Sequence, residues 1–258
     1  MIPFFGAGRE FKAYGPKAMA LARRVLSGGR WLQSEDVSLF EARLAAFTGR
    51  KFGVAVNSCT DALYFALTAA GVKPGDEVLV PDFTFPACAN AVELTGATPV
   101  LIDIDLATFN LDVNGIRPAL TPRTKALMPI HMFGRPADMD PVLAIAREKG
   151  LLVVEDAACA LGSEYRGRRC GGLSDVGCIS FHPRKVITTG EGGMLATNDL
   201  ALAERLRVLR NHGQVMSEGR IRFEQAGFNY RMTEFQGALG LVQMDRLESF
   251  IERRIALA

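Results

Sequence analysis

The sequence predicts an α/β protein whose mostly parallel sheet is covered by helices on both faces. The strand candidates are short and apolar throughout, as expected for strands that are buried on both sides. Helical patterns separate most of these candidates, which is the alternation that parallel sheets with crossover helices produce. The 258 residues, 48% of them hydrophobic, are enough to bury one large core.

The elements follow one another in a regular order. Two amphipathic helical patterns come first, at residues 15–26 and 34–47, and Ser34 is a candidate N-cap for the second. The strand candidates are residues 52–56, 77–80, 99–102, 126–130, 151–154, 176–180 and 194–197. The remaining helix candidates are residues 60–70, 85–94, 113–120, 141–149, 200–210 and 233–253. Glycine and proline mark several of the boundaries, as at Gly71.

Polar residues stand where several strand candidates end. Asn57, Asp82, Asp156 and Ser180 occupy such positions. In open parallel sheets, ligands bind outside the carboxyl ends of the strands. A ligand site is therefore expected at that edge of the sheet.

Composition excludes several classes of protein. A net charge of +2 is too small to indicate binding to nucleic acid or to an anionic membrane surface, and no apolar stretch is long enough for a membrane helix. Five cysteines without a Cys-x-x-Cys pair and three isolated histidines argue against a disulfide framework and against a metal site. Residues 1–5 lack the basic lead of a secretory signal, so a cytoplasmic location is expected.

Lys185 is the strongest indication of chemistry. It follows a strand candidate and precedes the glycine-rich segment 188–194, where a lysine can be held out of bulk water, lose its proton and attack an aldehyde. Asp156 ends a neighbouring apolar strand. A carboxylate there could keep a pyridine ring an electron sink, or it could cap the following turn. The pair of residues indicates pyridoxal phosphate (PLP).

Five further residues have a functional and a structural interpretation. Ser58 and Thr60 lie where a strand turns into a helix, so the helix start could bind a phosphate or could simply carry an N-cap. Ser180 could add a hydroxyl to the phosphate site, or it could be a buried serine bonded to the backbone. Phe85 could stack on the cofactor ring, although position alone favours core packing. His182 could contact a ligand or be structural.

Six segments in this order resemble the DegT/DnrJ-type sugar aminotransferases, a branch of the fold type I PLP enzymes. They span nearly the whole chain, and the block from Ser180 to Gly193 is the most specific of them. The segments are residues 58–63, 81–85, 154–158, 180–185, 189–193 and 227–233.

The resemblance implies a role for each position that matches a motif of the family. Lys185 resembles the lysine that holds PLP covalently, and Asp156 matches the partner of the pyridine nitrogen. Phe85 matches the aromatic side chain that stacks on the ring. The implied contacts near the cofactor phosphate are Ser58, Thr60, Asp61 and Ser180, with Thr60 and Asp61 acting through their backbone.

Two further positions concern the cofactor and the partner subunit. Asn229 matches a residue that reaches the phosphate of the neighbouring subunit, which implies a homodimer with shared sites. Cys159 stands where the family often has Gln or His near the phenolic oxygen of the cofactor, and its thiol offers only a weak contact. Relatives also have a smaller C-terminal domain. We therefore expect residues 1–258 to form the PLP-binding large domain, truncated before that small domain.

The resemblance implies transfer of an amino group, with L-glutamate as the donor and a nucleotide-linked keto sugar as the acceptor. Such a reaction would serve amino-sugar, surface-polysaccharide or secondary-metabolite biosynthesis. Lys185 argues against relatives that carry His there and dehydrate instead. Two alternatives remain open. One is another fold type I enzyme, such as an amino-acid aminotransferase, a lyase or a desulfurase that would use Cys170. The other is a PLP-binding regulatory domain without catalysis.

Overall fold

Helices and short strands alternate along the computed structural model, which describes residues 7–257. The amino-terminal segment without a secretory pattern (residues 1–6) and Ala258 lie outside the described residues. The helices are α1 (Ala7–Gly28), α2 (Glu35–Phe47), α3 (Cys59–Ala69), α4 (Ala87–Leu94), α5 (Val113–Ala119), α6 (Met139–Lys149), α7 (Leu200–Leu209), α8 (Glu234–Met244) and α9 (Leu247–Ile255). The strands are β1 (Phe52–Val56), β2 (Glu77–Pro81), β3 (Thr98–Ile102), β4 (Ile104–Asp105), β5 (Asn110–Leu111), β6 (Thr124–Leu127), β7 (Leu152–Asp156), β8 (Glu164–Tyr165), β9 (Arg168–Arg169), β10 (Val176–Ser180), β11 (Gly193–Thr197), β12 (Gln214–Ser217) and β13 (Arg220–Phe223).

The central sheet has seven strands in the order β1-β11-β10-β7-β6-β2-β3. The pairs from β10 to β3 are all parallel, whereas β11 runs antiparallel to both of its neighbours. Parallel neighbours require crossover connections, and helices supply them. The predicted fold class, a mostly parallel α/β sheet, is confirmed.

Two hydrophobic clusters cover the two faces of this sheet. Alternate strand residues point to opposite faces, so Val153 joins one cluster and Val154 the other. Helices α2, α5, α6, α8 and α9 pack on the Val153 face, and α3, α4 and α7 on the Val154 face. Burial on both sides explains why the strands are apolar throughout. None of the helices within residues 7–257 combines the length and the apolar character that crossing a bilayer requires.

The predicted helix over residues 233–253 is wrong in one respect, because the structure divides it into α8 and α9. The break falls at Arg246, whose φ of −117° and ψ of 0° depart from the angles of a regular α-helix. Asp245, just before it, pairs with Arg43 of α2 at 2.7 Å and with Lys17 of α1. These tertiary contacts override a periodicity that continues through the break.

Ser34 is the N-cap residue of α2, as predicted, but its side chain makes no capping hydrogen bond. The buried carboxylate of Glu234 instead accepts the N–H groups of Ser34 at 2.7 Å and Asp36 at 2.8 Å. Helix α8 therefore caps α2, which no local pattern indicates. The small antiparallel pair β12–β13 was also missed, and its exposed residues 220–223 lack the apolar run on which strand prediction depends.

Candidate active site

A cavity of about 500 Å³ opens at the carboxyl edge of the sheet. Strands β7 and β10 end there in Asp156 and Ser180, and α3 begins there. The turn between β10 and β11 returns to the same edge, because Gly193 pairs with both Val56 and Ser180. The fold thus brings the site to the place that parallel α/β sheets use for ligands.

Lys185 lies on that turn and is half-buried in the cavity wall. Its ammonium nitrogen donates to the Cys159 thiol, with 3.1 Å between Nζ and Sγ. The turn is fixed from beneath by Gln243 of α8, whose side-chain amide bonds both the N–H of Thr188, at 3.0 Å, and its carbonyl, at 2.6 Å. A fixed backbone holds the lysine at a defined position at the cavity mouth.

Asp156 is 6% exposed and also lines the cavity. Its Oδ1 accepts the N–H of Ala158 at 2.8 Å, and its Oδ2 accepts the thiol of Cys88 at 3.1 Å. An ionised carboxylate offers about four acceptor sites, so these two bonds leave room for a further donor from the cavity. The carboxylate is thus able to receive the N–H of a protonated pyridine ring.

The start of α3 supplies an anion-binding element. Ser58 is its N-cap, and the hydroxyl oxygen accepts the N–H of Asp61 at 3.1 Å. The N–H groups of Cys59 and Thr60, at the first helical positions, have no acceptor within the helix by its geometry, and both residues line the cavity. Backbone donors and the positive end of the helix dipole favour a phosphate.

Gly193 allows strand β11 to approach this helix start. A Cβ atom at this position would lie 2.3 Å from the carbonyl oxygen of Ser58 and 2.7 Å from the N–H nitrogen of Cys59. Only glycine permits that approach, which places the N–H groups at the start of α3 beside the turn that carries Lys185. The amine, the carboxylate and the anion-binding helix start fit a phosphorylated pyridine aldehyde in size and chemistry.

Phe85 is 71% exposed and stands at the cavity rim just before α4. The expectation from position alone, core packing, is wrong. An exposed aromatic ring at a cavity wall is available to cover a flat ligand. Its stacking on a cofactor stays a prediction of the resemblance.

Glu155, next to Asp156, points to the other face of the sheet and is fully buried. Its oxygens accept hydrogen bonds from His131, at 2.8 Å, from the N–H groups of Gly171 and Leu173, and from the Ser174 hydroxyl. The N–H of Ala137 donates to Nδ1 of the His131 ring, which leaves the proton on Nε2 facing Glu155.

Three buried residues, His131, Glu155 and Cys170, lie close enough together to resemble a metal site. The hydrogen bonds of His131 and Glu155 account for the cluster without an ion. Glu155 is therefore a structural carboxylate that fastens the segment 171–174 beneath β7.

We expect Glu155→Gln to lower the free energy of unfolding at pH 7 by about 3 kcal/mol, since it leaves buried donors facing an amide. Burial alone would raise the pKa of Glu155, but the bonds from His131, Gly171 and Leu173 outweigh burial and hold its pKa below the ordinary value. The folded state therefore binds fewer protons. The stabilisation is present above the unfolded pKa of about 4.3 and is lost as pH falls through the folded value.

Urea unfolding of the two proteins, repeated from pH 7 to about pH 3.5, tests this. The difference in the free energy of unfolding between wild type and Glu155→Gln should become smaller in acid. Glu148→Gln is the matched control, because its exposed carboxylate pairs with Arg117 at the surface and should change the unfolding curve little. A gap at pH 7 no larger than that of the control would contradict the structural role.

Most of the residues implied by the resemblance meet at one cavity. The members that line it are Ser58, Thr60, Phe85, Asp156, Cys159, Ser180 and Lys185. Asp61 is beside the cavity, but its side chain accepts the Ser58 hydroxyl at 2.6 Å and its N–H donates to the Ser58 oxygen at 3.1 Å, so both groups are engaged within the cap of α3. Asn229 lies elsewhere and is exposed, in an isolated bridge with Asn211. The ligand roles of these residues stay predictions.

Two of the strand-end residues that were expected at the ligand site lie outside it. Asn57 and Asp82 also follow strands, but neither lines the cavity. His182 lines it, and its Nδ1 accepts the N–H of Arg184 at 3.2 Å.

Cys170, the residue that a desulfurase would need exposed, is fully buried, and burial raises the pKa of its thiol. This argues against the desulfurase alternative.

Sequence reasoning missed Cys88, which bonds Asp156 from the first turn of α4. One signal was available. Cys88 follows Phe85 by only three residues, so both stand close to the start of α4. If one residue lines a site, the other is near it.

Comparison with known proteins gives a consistent result. Residues 13–258 match the model of the DegT/DnrJ/EryC1/StrS aminotransferase family. A GDP-perosamine synthase of Caulobacter vibrioides is 50% identical over 215 residues, which are 83% of this chain and 58% of that protein. A dTDP-3-amino-3,4,6-trideoxy-alpha-D-glucose transaminase of Streptomyces venezuelae is 43% identical over 258 residues, covering 100% of this chain and 67% of its own.

Solved structures show the same fold. The crystal structure of S. venezuelae DesV in complex with a ketimine intermediate superposes with a TM-score of 0.95 at 42% identity. The match covers 99% of this chain and 68% of the DesV chain. The chain thus spans about three fifths to two thirds of the length of the proteins that it matches.

Proposed function

The chain belongs to the DegT/DnrJ/EryC1/StrS aminotransferase family, and from this premise we propose that it is the large domain of a PLP-dependent transaminase. The acceptor is a nucleotide-linked keto sugar, and the amino donor is L-glutamate. The observation that carries the proposal is the convergence of Lys185 and Asp156 on one cavity beside the start of α3. The names of the relatives, a GDP-perosamine synthase and a dTDP-sugar transaminase, support the choice of acceptor.

Each group at the cavity has a task in this proposal. The N–H groups of Cys59 and Thr60, with the hydroxyl of Ser180, would hold the phosphate. Lys185 would hold the aldehyde carbon covalently, and Asp156 would accept the ring N–H. Bound PLP supplies an electron sink for the negative charge that develops at a substrate carbon.

Lys185 would also move a proton when its amine is not attached to the cofactor. Its free amine stands at the cavity mouth and can take the proton from the donor α-carbon and return it as a general acid. The exposed ring of Phe85 would cover one side of the cofactor and exclude water there. Lys185 would move the proton in the opposite direction when the keto sugar is the substrate.

A homodimer with shared sites is part of the proposal. Asn229 is exposed and does not line the cavity of its own chain, which leaves it available for a contact with the phosphate in the partner subunit. A small C-terminal domain that helps to close the substrate site is likewise proposed from the family resemblance.

An absorbance titration with PLP, followed by L-glutamate, tests the function. We expect a visible band from the bound cofactor, which glutamate bleaches with release of one equivalent of 2-oxoglutarate per site. A dTDP-linked or GDP-linked keto sugar should then restore the band.

The other outcomes distinguish the alternatives. A band that no amino acid changes would indicate a binding or regulatory domain. A band that responds to glutamate but to no keto sugar would indicate an amino-acid aminotransferase. A folded protein without any band would contradict the PLP proposal.

A further inference from the structure

Cys88 connects two elements of the cavity wall. It is 1% exposed and lies in the first turn of α4, on the face of the sheet that Asp156 also faces. Its thiol lies 3.1 Å from Oδ2 of Asp156, and the Thr84 hydroxyl lies 3.4 Å from its sulfur. Phe85 lies between Thr84 and Cys88 in the sequence. These two contacts therefore connect the segment that carries Phe85 to the Asp156 carboxylate.

The donors in these contacts follow from chemistry. Burial, and next the negative charge of Asp156, raise the pKa of the Cys88 thiol, so the sulfur keeps its proton. An ionised carboxylate only accepts hydrogen bonds, so the single thiol proton points to Asp156. The Thr84 hydroxyl must then donate to the sulfur. Successive bonds in one direction polarise and strengthen one another.

The Asp156 carboxylate has only one other donor within residues 7–257, the N–H of Ala158, which binds Oδ1. A carboxylate held at a single oxygen can still rotate about its Cβ–Cγ bond, which is a broad torsion. The bond from Cys88 to Oδ2 holds the second oxygen and so fixes the carboxylate plane. The direction of the remaining lone pairs into the cavity is fixed with it.

We propose that Cys88 is a positioning residue that holds the Asp156 carboxylate in the plane required to receive the ring N–H of PLP. The inference rests on the proposed function, because it concerns the same cofactor. Cys88 itself would act only through Asp156. Its removal should therefore weaken the contact to the ring nitrogen and leave the phosphate and aldehyde contacts intact.

Two variants and two ligands isolate this role. Cys88→Ala removes the donor, and Cys88→Ser keeps one of similar size. The ligands are PLP and 1-deaza-PLP, in which a C–H replaces the ring nitrogen. We expect Cys88→Ala to weaken PLP binding by about 3- to 10-fold, the effect of losing one hydrogen bond, and Cys88→Ser to bind within about 2-fold of wild type. With 1-deaza-PLP the wild type and Cys88→Ala should bind alike.

Cys178→Ala is the matched control. Cys178 is fully buried and lies opposite Asp156 in the register of β10 and β7, yet it does not belong to the donors of Asp156. Its alanine variant leaves a similar void and should bind PLP like the wild type. If Cys88→Ala fails to fold, Cys88→Thr and Cys88→Val pose the same question, since they share a shape and differ in the hydroxyl.

The outcomes separate this inference from the proposed function. A wild-type protein that binds no PLP contradicts the function. If the wild type binds PLP and Cys88→Ala binds it equally well, the positioning role is wrong. An equal loss of affinity for PLP and for 1-deaza-PLP also overturns it, because the effect would then not pass through the ring nitrogen. The circular dichroism of the bound cofactor should shift in Cys88→Ala and return in Cys88→Ser.

Discussion

Lys185→Ala is expected to reduce amino transfer from L-glutamate by about 10⁴-fold or more, because one side chain supplies both the covalent attachment and the proton transfer. The loss should fall on kcat rather than on KM for the sugar. The substitution removes the contact between Lys185 and Cys159, but it leaves the buried hydrogen bond between Thr188 and Gln243 that holds the turn. We therefore expect the melting temperature to stay near that of the wild type. Initial rates of 2-oxoglutarate release measure the effect.

Chemical rescue sharpens this experiment. Small primary amines added to Lys185→Ala should restore part of the rate, since they can enter the space that the side chain vacates and move the proton. Lys51→Ala is the control, because Lys51 is exposed at the start of β1, at the opposite end of that strand from the cavity. Full turnover by Lys185→Ala would refute the proposed function, whereas inactivity of the control would indicate a general loss of folding.

The fold could be predicted from the sequence because its strands carry a strong local signal. Apolar runs separated by helical patterns fix the class, and the predicted strand β10 (Val176–Ser180) agrees with the structure at both ends. Local sequence patterns did not predict the helix boundaries that are set by side chains far away in the sequence. The break before α9 depends on Lys17 and Arg43, and the start of α2 depends on Glu234. None of these three residues is near the affected helix end in the sequence.

The candidate site, like the fold, was only partly predictable from local sequence patterns. Residues at strand ends could be predicted to meet, since parallel strands end at one edge, and Asp156 and Ser180 do line the cavity. Strand ends alone also selected Asn57 and Asp82, which the cavity does not include. Phe85 was expected in the core because exposure of a single aromatic residue depends on how the chain turns before α4. Phe85 instead lines the cavity, and the stacking on a cofactor that the resemblance implies stays a prediction.

Two adjacent acids, Glu155 and Asp156, show why a sequence cannot assign roles by residue type. They point to opposite faces of β7, and the fold surrounds the first with four donors and the second with two. The satisfied carboxylate stabilises the fold, and the other keeps acceptor capacity for a ligand. The number of donors follows from the loop 171–174 and from α4, which are distant in sequence.

This difference predicts opposite consequences for two conservative substitutions. Asp156→Asn should lower kcat by about 10²- to 10³-fold, because a neutral amide no longer stabilises a protonated pyridine ring. Its Oδ1 can still accept the N–H of Ala158, and one buried charge is removed. The free energy of unfolding should therefore stay equal or rise, as is common for residues kept for function. Glu155→Gln should instead lose stability.

Steady-state rates and urea unfolding of both variants test the contrast. Asp103→Asn is the control for Asp156→Asn, since it makes the same change at an exposed carboxylate just after β3 and should alter neither quantity. With 1-deaza-PLP as the ligand, wild type and Asp156→Asn should bind alike, because the carboxylate then has no ring N–H to receive. A large loss of stability in Asp156→Asn, with rates close to wild type, would assign this carboxylate to the fold and leave the ring nitrogen without its partner.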